Sequence, residues 1–283
     1  MMSNYTIRCM TRPELDFALA WAKLEGWRPG LHDAEHYYQT DPNGFFIGLL
    51  DGEPIGCISG VKYDDDFGFI GFYIVKPEWR SRGFGLQLWQ TAMNYLEGCN
   101  IGLDGVIEQQ HNYQKSGFHI ACNNMRYQGT RGNTDATPSP AVVAIDAVSF
   151  DELLDYDRRH FPAPRAGFLQ SWIKQKQGTA LAVLVEGKIS GYGVIRACDG
   201  GYRVGPLFAD NYSIAEPLLS ALLNAIPEGS DFFIDIPEPN RDALKLVTSY
   251  NMQPVFGTAR MYTQNNPAID LNEVFGVTSL ELG

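Results

Sequence analysis

At 283 residues the chain exceeds the roughly 100–200 residues of a usual single core, so two halves of similar size are expected. With 45% hydrophobic and 19% charged residues it can bury a proper core, and a formal charge of -11 disfavours phosphate backbones while attracting a small cation. The five cysteines (Cys9, Cys57, Cys99, Cys122, Cys198) are scattered without a C-x-x-C pair, and no leader or apolar run of roughly 20 residues is evident, so disulfides, a structural metal and a membrane span are not expected and a reducing cytoplasm is.

The first predicted helix opens on a capping box, Thr11 to Glu14, and Leu15, Ala18, Leu19 and Ala22 follow at helical spacing. The next segment, Glu25 to Asp33 (E-G-W-R-P-G-L-H-D), has the turn chemistry of an exposed loop yet carries an aromatic ring and two acids. Apolar runs flanking Asp51-Gly52 read as a hairpin, with a second glycine at Gly56; both glycines suggest positions of positive φ. The Asp64-Asp65-Asp66 run reads as a solvated hairpin turn. Residues 69–75 read as a buried strand, followed by a loop and a helix over about 84–97 with Leu86, Trp89, Met93 and Leu96 on one face. A strand near 100–104, a short helix near 109–116 and a strand from Phe118 complete a mixed α/β sheet.

Residues 129–140 (G-T-R-G-N-T-D-A-T-P-S-P) hold almost nothing that could be buried, the composition of a linker. The expected division is therefore 1–130, a linker at 131–140, and 141–283. Beyond the linker the same order recurs: a capping box at Ser149 to Glu152, a hairpin at Glu186-Gly187 with its second glycine at Gly191, a long helix over 214–227 and a late helix through 240–246. Such recurrence indicates an internal duplication.

The loop Val75 to Gly85, V-K-P-E-W-R-S-R-G-F-G, sets a proline and two glycines between a strand and a helix start, beside Arg80 and Arg82. Free amides at a helix N-terminus attract anions, glycines allow phosphate close to the backbone, and arginines add charge, so a pyrophosphate suits this turn. Neither a Walker loop nor G-x-G-x-x-G is present. The segment resembles the acyl-CoA-binding motif R-x-x-G-x-G of the GNAT family of N-acetyltransferases, filled by Arg80, Gly83 and Gly85. Tyr113 to Phe118, Y-Q-K-S-G-F, is similar to the Y-x-K-x-G-F ending of the same fold. The resemblance spans residues 5–128 and, more weakly, the remainder, as two tandem GNAT-like domains of α/β class with a diverged second copy.

The resemblance implies acetyl-CoA as donor, with the main chain of Tyr73, Ile74 and Val75 along the pantetheine arm and the amides of Arg80, Ser81, Arg82, Gly83, Phe84 and Gly85 at the pyrophosphate. It casts Tyr113 as general acid, because an amine attacking a thioester expels a thiolate that needs a proton; alternatively Tyr113 only packs beneath the cofactor. Glu25, Trp27 and Asp33 would cover the acceptor and hold a cationic amine, unless Trp27 packs on the core and Asp33 caps the next helix. The base stays open among Glu108, Asp104, Glu25, His111 and a water chain, since residues 69–75 hold no carboxylate. The implied reaction is direct acetyl transfer to a primary amine of a small molecule or peptide. Its rivals are a non-catalytic acyl-CoA sensor and an aminoacyl-type transferase. In the second copy Asp210 and Tyr212 replace the two arginines, Val247 replaces Tyr113 and Asn251 replaces Gly117, so 141–283 is expected to be non-catalytic, although Arg260 still matches Arg126. Asp235, Glu238 and Asn240 cluster after a strand end, either at a ligand or with Asn240 as a helix cap.

Overall fold

A computed structural model of the chain describes residues 4–132, 139 and 141–283, so the linker expected at 131–140 lies largely outside the described residues. The first half runs β1 (Tyr5–Cys9), α1 (Leu15–Leu24), α2 (Asp33–Thr40), β2 (Phe45–Leu50), β3 (Glu53–Lys62), β4 (Phe67–Val75), α3 (Phe84–Tyr95), β5 (Asn100–Val106), α4 (Gln110–Lys115) and β6 (His119–Thr130). The second half repeats that order as β7 (Val142–Ala144), α5 (Phe150–Arg158), α6 (Ala166–Trp172), β8 (Gly178–Val185), β9 (Lys188–Cys198), β10 (Gly201–Ala209), α7 (Tyr212–Asn224), β11 (Asp231–Pro237), α8 (Arg241–Ser249) and β12 (Gln253–Tyr262), and adds β13 (Val274–Gly276).

All these strands join one mixed sheet, ordered β1-β2-β3-β4-β5-β12-β6-β11-β10-β9-β8-β7, with β13 beside β10. The order is the same from either end once the halves are interchanged. Its centre is an exchange: β12 of the second half pairs with β5 of the first, and β6 of the first pairs with β11 of the second. Gly129 and Thr130, counted in the linker composition, are the end of β6 and face Phe232 and Asp231. The exchange also explains why Arg126 and Arg260 match. Each reaches from the strand its own half gives to the exchange, β6 or β12, to an aspartate of the other half: Arg126 Nε lies 2.7 Å from Asp235, and Arg260 Nη2 lies 2.6 Å from Asp104.

Local signals account for most elements. At both hairpins the two central residues are left-handed, Asp51 and Gly52 at φ 51° and 88°, Glu186 and Gly187 at 52° and 77°, the geometry that matches strand twist. Gly56 and Gly191 serve another purpose than the one expected of them. Neither has positive φ; a Cβ on Gly56 would lie 3.0 Å from Leu88 of α3, and one on Gly191 would lie 2.8 Å from Ile214 of α7, so these glycines let the long helices sit close on the sheet. The Thr11 capping box forms, with Glu14 accepting from the Thr11 amide at 2.8 Å, whereas at Ser149 the cap forms without the reciprocal bond: Oγ accepts from the Glu152 amide at 3.2 Å and the Glu152 carboxylate accepts from the Ser149 hydroxyl at 3.0 Å. On α3 the buried face consists of Leu88, Trp89 and Ala92, continued by Leu96, while Leu86 is 68% exposed, which corrects the face expected from spacing. Asp64 accepts from the amides of Asp66 and Phe67, so the acidic run does form a turn.

One core cluster crosses both halves, with Tyr37 stacked on Trp172 at 5.8 Å between ring centroids. The chain's last segment threads into it. Beyond β13, residues 277–282 are buried, and the Tyr63 hydroxyl donates to the Leu282 carbonyl at 2.8 Å. A Cβ on Gly71 would overlap the Glu281 carbonyl oxygen. Gly71→Ala is therefore expected to push the tail off β4 and destabilise the protein by about 1–3 kcal/mol, the usual scale of overpacking, measured as a lower urea midpoint.

Candidate active site

Strands β4 and β5 pair in parallel only from Phe67–Ile70 to Asn100–Leu103. Beyond that point β4 bulges against β3, with Phe72 at φ 47°, while β5 continues along β12 on its other edge. The main chain of Gly71 to Val75 is thus left, among the described residues, without a strand partner on its β5 side. A cavity of about 520 Å³ occupies this split, within the usual range for small-molecule sites.

One end of the cavity meets the start of α3. Gly83 caps the helix at φ 85°, a conformation that favours glycine, and a Cβ on Gly85 would lie 2.8 Å from the Tyr73 hydroxyl oxygen. Among the described residues, no main-chain amide from Ser81 to Leu86 donates to a main-chain carbonyl. Those donors, with the helix dipole behind them, make a cradle for an anion. Arg80, Ser81, Gly83 and Gly85 line it, and so do Tyr73, Ile74 and Val75. Arg80 donates through Nε to the Val75 carbonyl at 2.8 Å and pairs with Glu25 across the cleft. Two of the residues expected here do not line the cavity: Arg82 lies over the Trp79 ring at 4.8 Å, and Phe84 packs on Tyr5 with ring centroids 4.7 Å apart.

Tyr113 projects from α4 into the same cavity. Its ring lies against Trp89, centroids 5.5 Å apart, and over Gly105, where any Cβ would overlap it. Burial, with a smaller contribution from Tyr73, pushes its hydroxyl up to about 12. It is a neutral proton donor throughout the ordinary pH range.

Glu25 and Trp27 line the cavity, and Trp27 also packs on the core. Asp33 does not line it. Its side chain is fully buried, where it accepts from Arg196 Nε at 2.8 Å, the Gly30 amide at 2.9 Å and the Tyr37 hydroxyl at 3.1 Å. A guanidinium from the second half has taken the charge that a substrate was expected to meet. Burial raises the Asp33 carboxyl, and the attraction of Arg196 more than reverses this, leaving it below the usual range. Of the candidate bases, Asp104 lines the cavity but is held by Arg260 and by Asn124 at 2.8 Å, whereas Glu108 and His111 are exposed and do not line it.

Four lining residues come from the second half: Phe256 and Thr258 of β12, and Leu280 and Glu281 of the tail. Nothing local marks them in the sequence, because only the strand exchange brings them here. The corresponding split in the second half is filled. Strand β10 parts from β11 after Val204, and β13 enters the gap, pairing Leu207 with Gly276 while the Val277 amide donates to the Asp235 carbonyl at 2.9 Å. Asp235 lies in the ion pair with Arg126, and Asn240 caps α8 by accepting from the Ala243 amide at 2.9 Å. Among the described residues no group of three or more His, Cys, Asp or Glu side chains could hold a metal ion, and no helix is long and apolar enough to cross a membrane.

A split mixed sheet with a glycine-capped helix start at its mouth defines a GNAT-type acyltransferase. Residues 12–118 match the Acetyltransferase (GNAT) family and residues 153–276 an Acetyltransferase (GNAT) domain. The chain is 31% identical over 280 residues to a holothin acyltransferase from Pseudoalteromonas sp. (strain SANK 73390), covering 99% of this chain and 95% of that one. In fold it is similar to the crystal structure of a candidate acetyltransferase from Pyrococcus horikoshii, with a TM-score of 0.83 at 22% identity over 99% of this chain and 96% of that one. It is likewise similar to a tandem GNAT protein from the clavulanic acid biosynthesis pathway, with a TM-score of 0.63 at 12% identity over 94% and 100% of the two chains. The protein belongs to the GNAT acyltransferase family and carries two GNAT domains.

Proposed function

We propose that the protein is an N-acetyltransferase of the reducing cytoplasm that moves acetyl from acetyl-CoA to a primary amine of a small molecule or peptide by direct attack. Residues 1–130 form the catalytic domain, 131–140 the linker, and 141–283 a domain with no acyl site of its own. The observation that carries this reading is the cavity flanked by an unpaired edge of β4 and closed by free amides of α3. An arm bearing amide groups can pair with Tyr73 to Val75 as an added strand would, and a diphosphate suits the amides near Gly83. When bound, the donor supplies an activated thioester carbonyl. Tyr113 then gives its proton to the departing sulfur. Direct attack is favoured because no cysteine lines the cavity, and burial raises the Cys57 thiol far above its ordinary value. The charge of -11 favours a cationic acceptor over one carried on RNA. Similarity to a holothin acyltransferase makes holothin one member of the acceptor panel to assay.

Calorimetric titration with CoA, followed by thiol release from acetyl-CoA in the presence of the amine panel, tests the proposal. A purified protein that ignores CoA overturns it. Arg80→Ala is expected to raise the CoA dissociation constant on the order of tenfold, the worth of one charge-assisted hydrogen bond, and more so at low salt. Arg82→Ala is expected to change it less, because Arg82 rests on Trp79 outside the cavity.

A further inference from the structure

We propose that Glu281, delivered by the tail of the second half, is the carboxylate that receives the protonated acceptor amine in the first half's cavity and takes its proton. The proposal rests on the acyl-transfer reading above and names the base which that reading lacks.

Among the described residues three carboxylates line the cavity: Glu25, Asp104 and Glu281. Asp104 is committed, bound by Arg260 at 2.6 and 2.9 Å and by Asn124 at 2.8 Å. Glu25 is paired with Arg80 at the anion-binding end. Glu281 is buried, with a side chain only 3% exposed, yet its contacts are long. Arg203 Nη1 lies 3.4 Å away, while Nη2 of the same guanidinium makes a shorter bond, 2.7 Å, to Asp235. The Tyr37 hydroxyl lies 3.3 Å away, and its single proton is also within reach of Asp33 at 3.1 Å. A carboxylate offers about four acceptor positions, so Glu281 retains capacity for a strong new donor.

Its place along the cleft suits the role. With phosphates at Arg80 to Gly85 and the arm running from Val75 back to Tyr73, the reacting end falls towards Gly71, against which the Glu281 peptide packs. Tyr37 of α2 and Arg203 of β10 face the carboxylate, with Asp33, Arg196, Asp235 and Arg126 behind them. Across the cavity stand Glu25, Arg80, Asp104, Tyr73 and Tyr113.

The step balances. The ammonium gives one proton to Glu281 and its nitrogen forms the C–N bond. The C–S bond breaks, and the sulfur takes the phenolic proton of Tyr113. The second nitrogen proton returns to Tyr113, and Glu281 releases its proton to solvent with the amide product.

The test compares Glu281→Gln and Glu281→Asp with wild type in acetyl transfer and in CoA calorimetry, with thermal unfolding as the check on folding. Glu281→Gln is expected to lower kcat/KM for the amine by about 100-fold or more, to raise its KM, and to leave CoA affinity within about twofold. The deficit is expected to shrink as pH approaches the amine's own pKa, where the free base needs no proton acceptor. Glu281→Asp, which keeps the charge but retracts it, is expected to fall between the two, and it carries the test if the glutamine variant does not fold. Wild-type kcat/KM and pH profile in whichever variant folds overturn the assignment alone. Failure of the wild-type protein to bind CoA overturns the acyl-transfer reading with it.

Discussion

Replacing Tyr113 by phenylalanine is expected to lower kcat by about 10²–10⁴-fold while the CoA dissociation constant stays within about twofold. The substitution keeps the ring that lies on Gly105 and against Trp89, so any packing beneath the donor survives. Only the hydroxyl is lost. With its pKa pushed up to about 12, that hydroxyl is protonated at neutral pH, and it adds no alkaline limb to the wild-type rate profile below that value. An equal fall in kcat and kcat/KM would mark an interaction made only in the transition state. Thiol release and calorimetry on the same preparation separate the outcomes. A variant with wild-type turnover would make Tyr113 a packing residue, and a wild-type protein that binds CoA without releasing thiol would be a sensor.

The parts of this site that were legible in the sequence are those dictated by the local backbone. Gly83 and Gly85 show because a left-handed cap and a close approach to Tyr73 exclude a Cβ. The hairpins at Asp51-Gly52 and Glu186-Gly187 show for a similar reason, since both central residues take positive φ. Spacing misjudged one helix face: α3 packs through Ala92, which lies over Gly60 so closely that a Cβ added there would come within 3.3 Å of the Ala92 Cβ, and so small a residue leaves little mark in a hydrophobic pattern. Asp33 was read from its loop alone, whereas its partner Arg196 stands 163 residues away. Phe256, Thr258, Leu280 and Glu281 reach the cavity through the strand exchange and the tail, pairings that depend on the whole topology and on no local propensity. The proposal that the second half holds no acyl site of its own draws on Asp210 and Val247 in the sequence, whereas β13 lying in the corresponding cleft left no local mark there.

Removing Asp235 is expected to cost the largest share of stability of any single substitution considered, about 3–5 kcal/mol for Asp235→Ala, read from urea unfolding. The carboxylate accepts from Arg126 at 2.7 and 3.0 Å and from Arg203 at 2.7 Å, and all three side chains are at most 3% exposed. Without it Arg126 keeps the Trp27 carbonyl and Arg203 keeps the long contact to Glu281, so two desolvated guanidiniums lose their shortest ion pair. A solvated pair such as Arg12 with Asp16 provides the control, because exposed ion pairs contribute at most about 1 kcal/mol. Burial raises the Asp235 carboxyl, but the two guanidiniums outweigh that effect and hold it well below the ordinary carboxylate value. Since the folded pKa lies below the unfolded one, the contribution is present at neutral pH and is lost as pH falls below about 4; Asp235→Ala is expected to flatten that acid limb. Asp104→Ala breaks the reciprocal pair at the other side of the exchange, where Arg260 is 13% exposed and can recover some water, so its cost should be smaller. Equal losses would mean that the two crossing strands are held alike, and that desolvation of the second arginine at Asp235 adds nothing to its grip on β6.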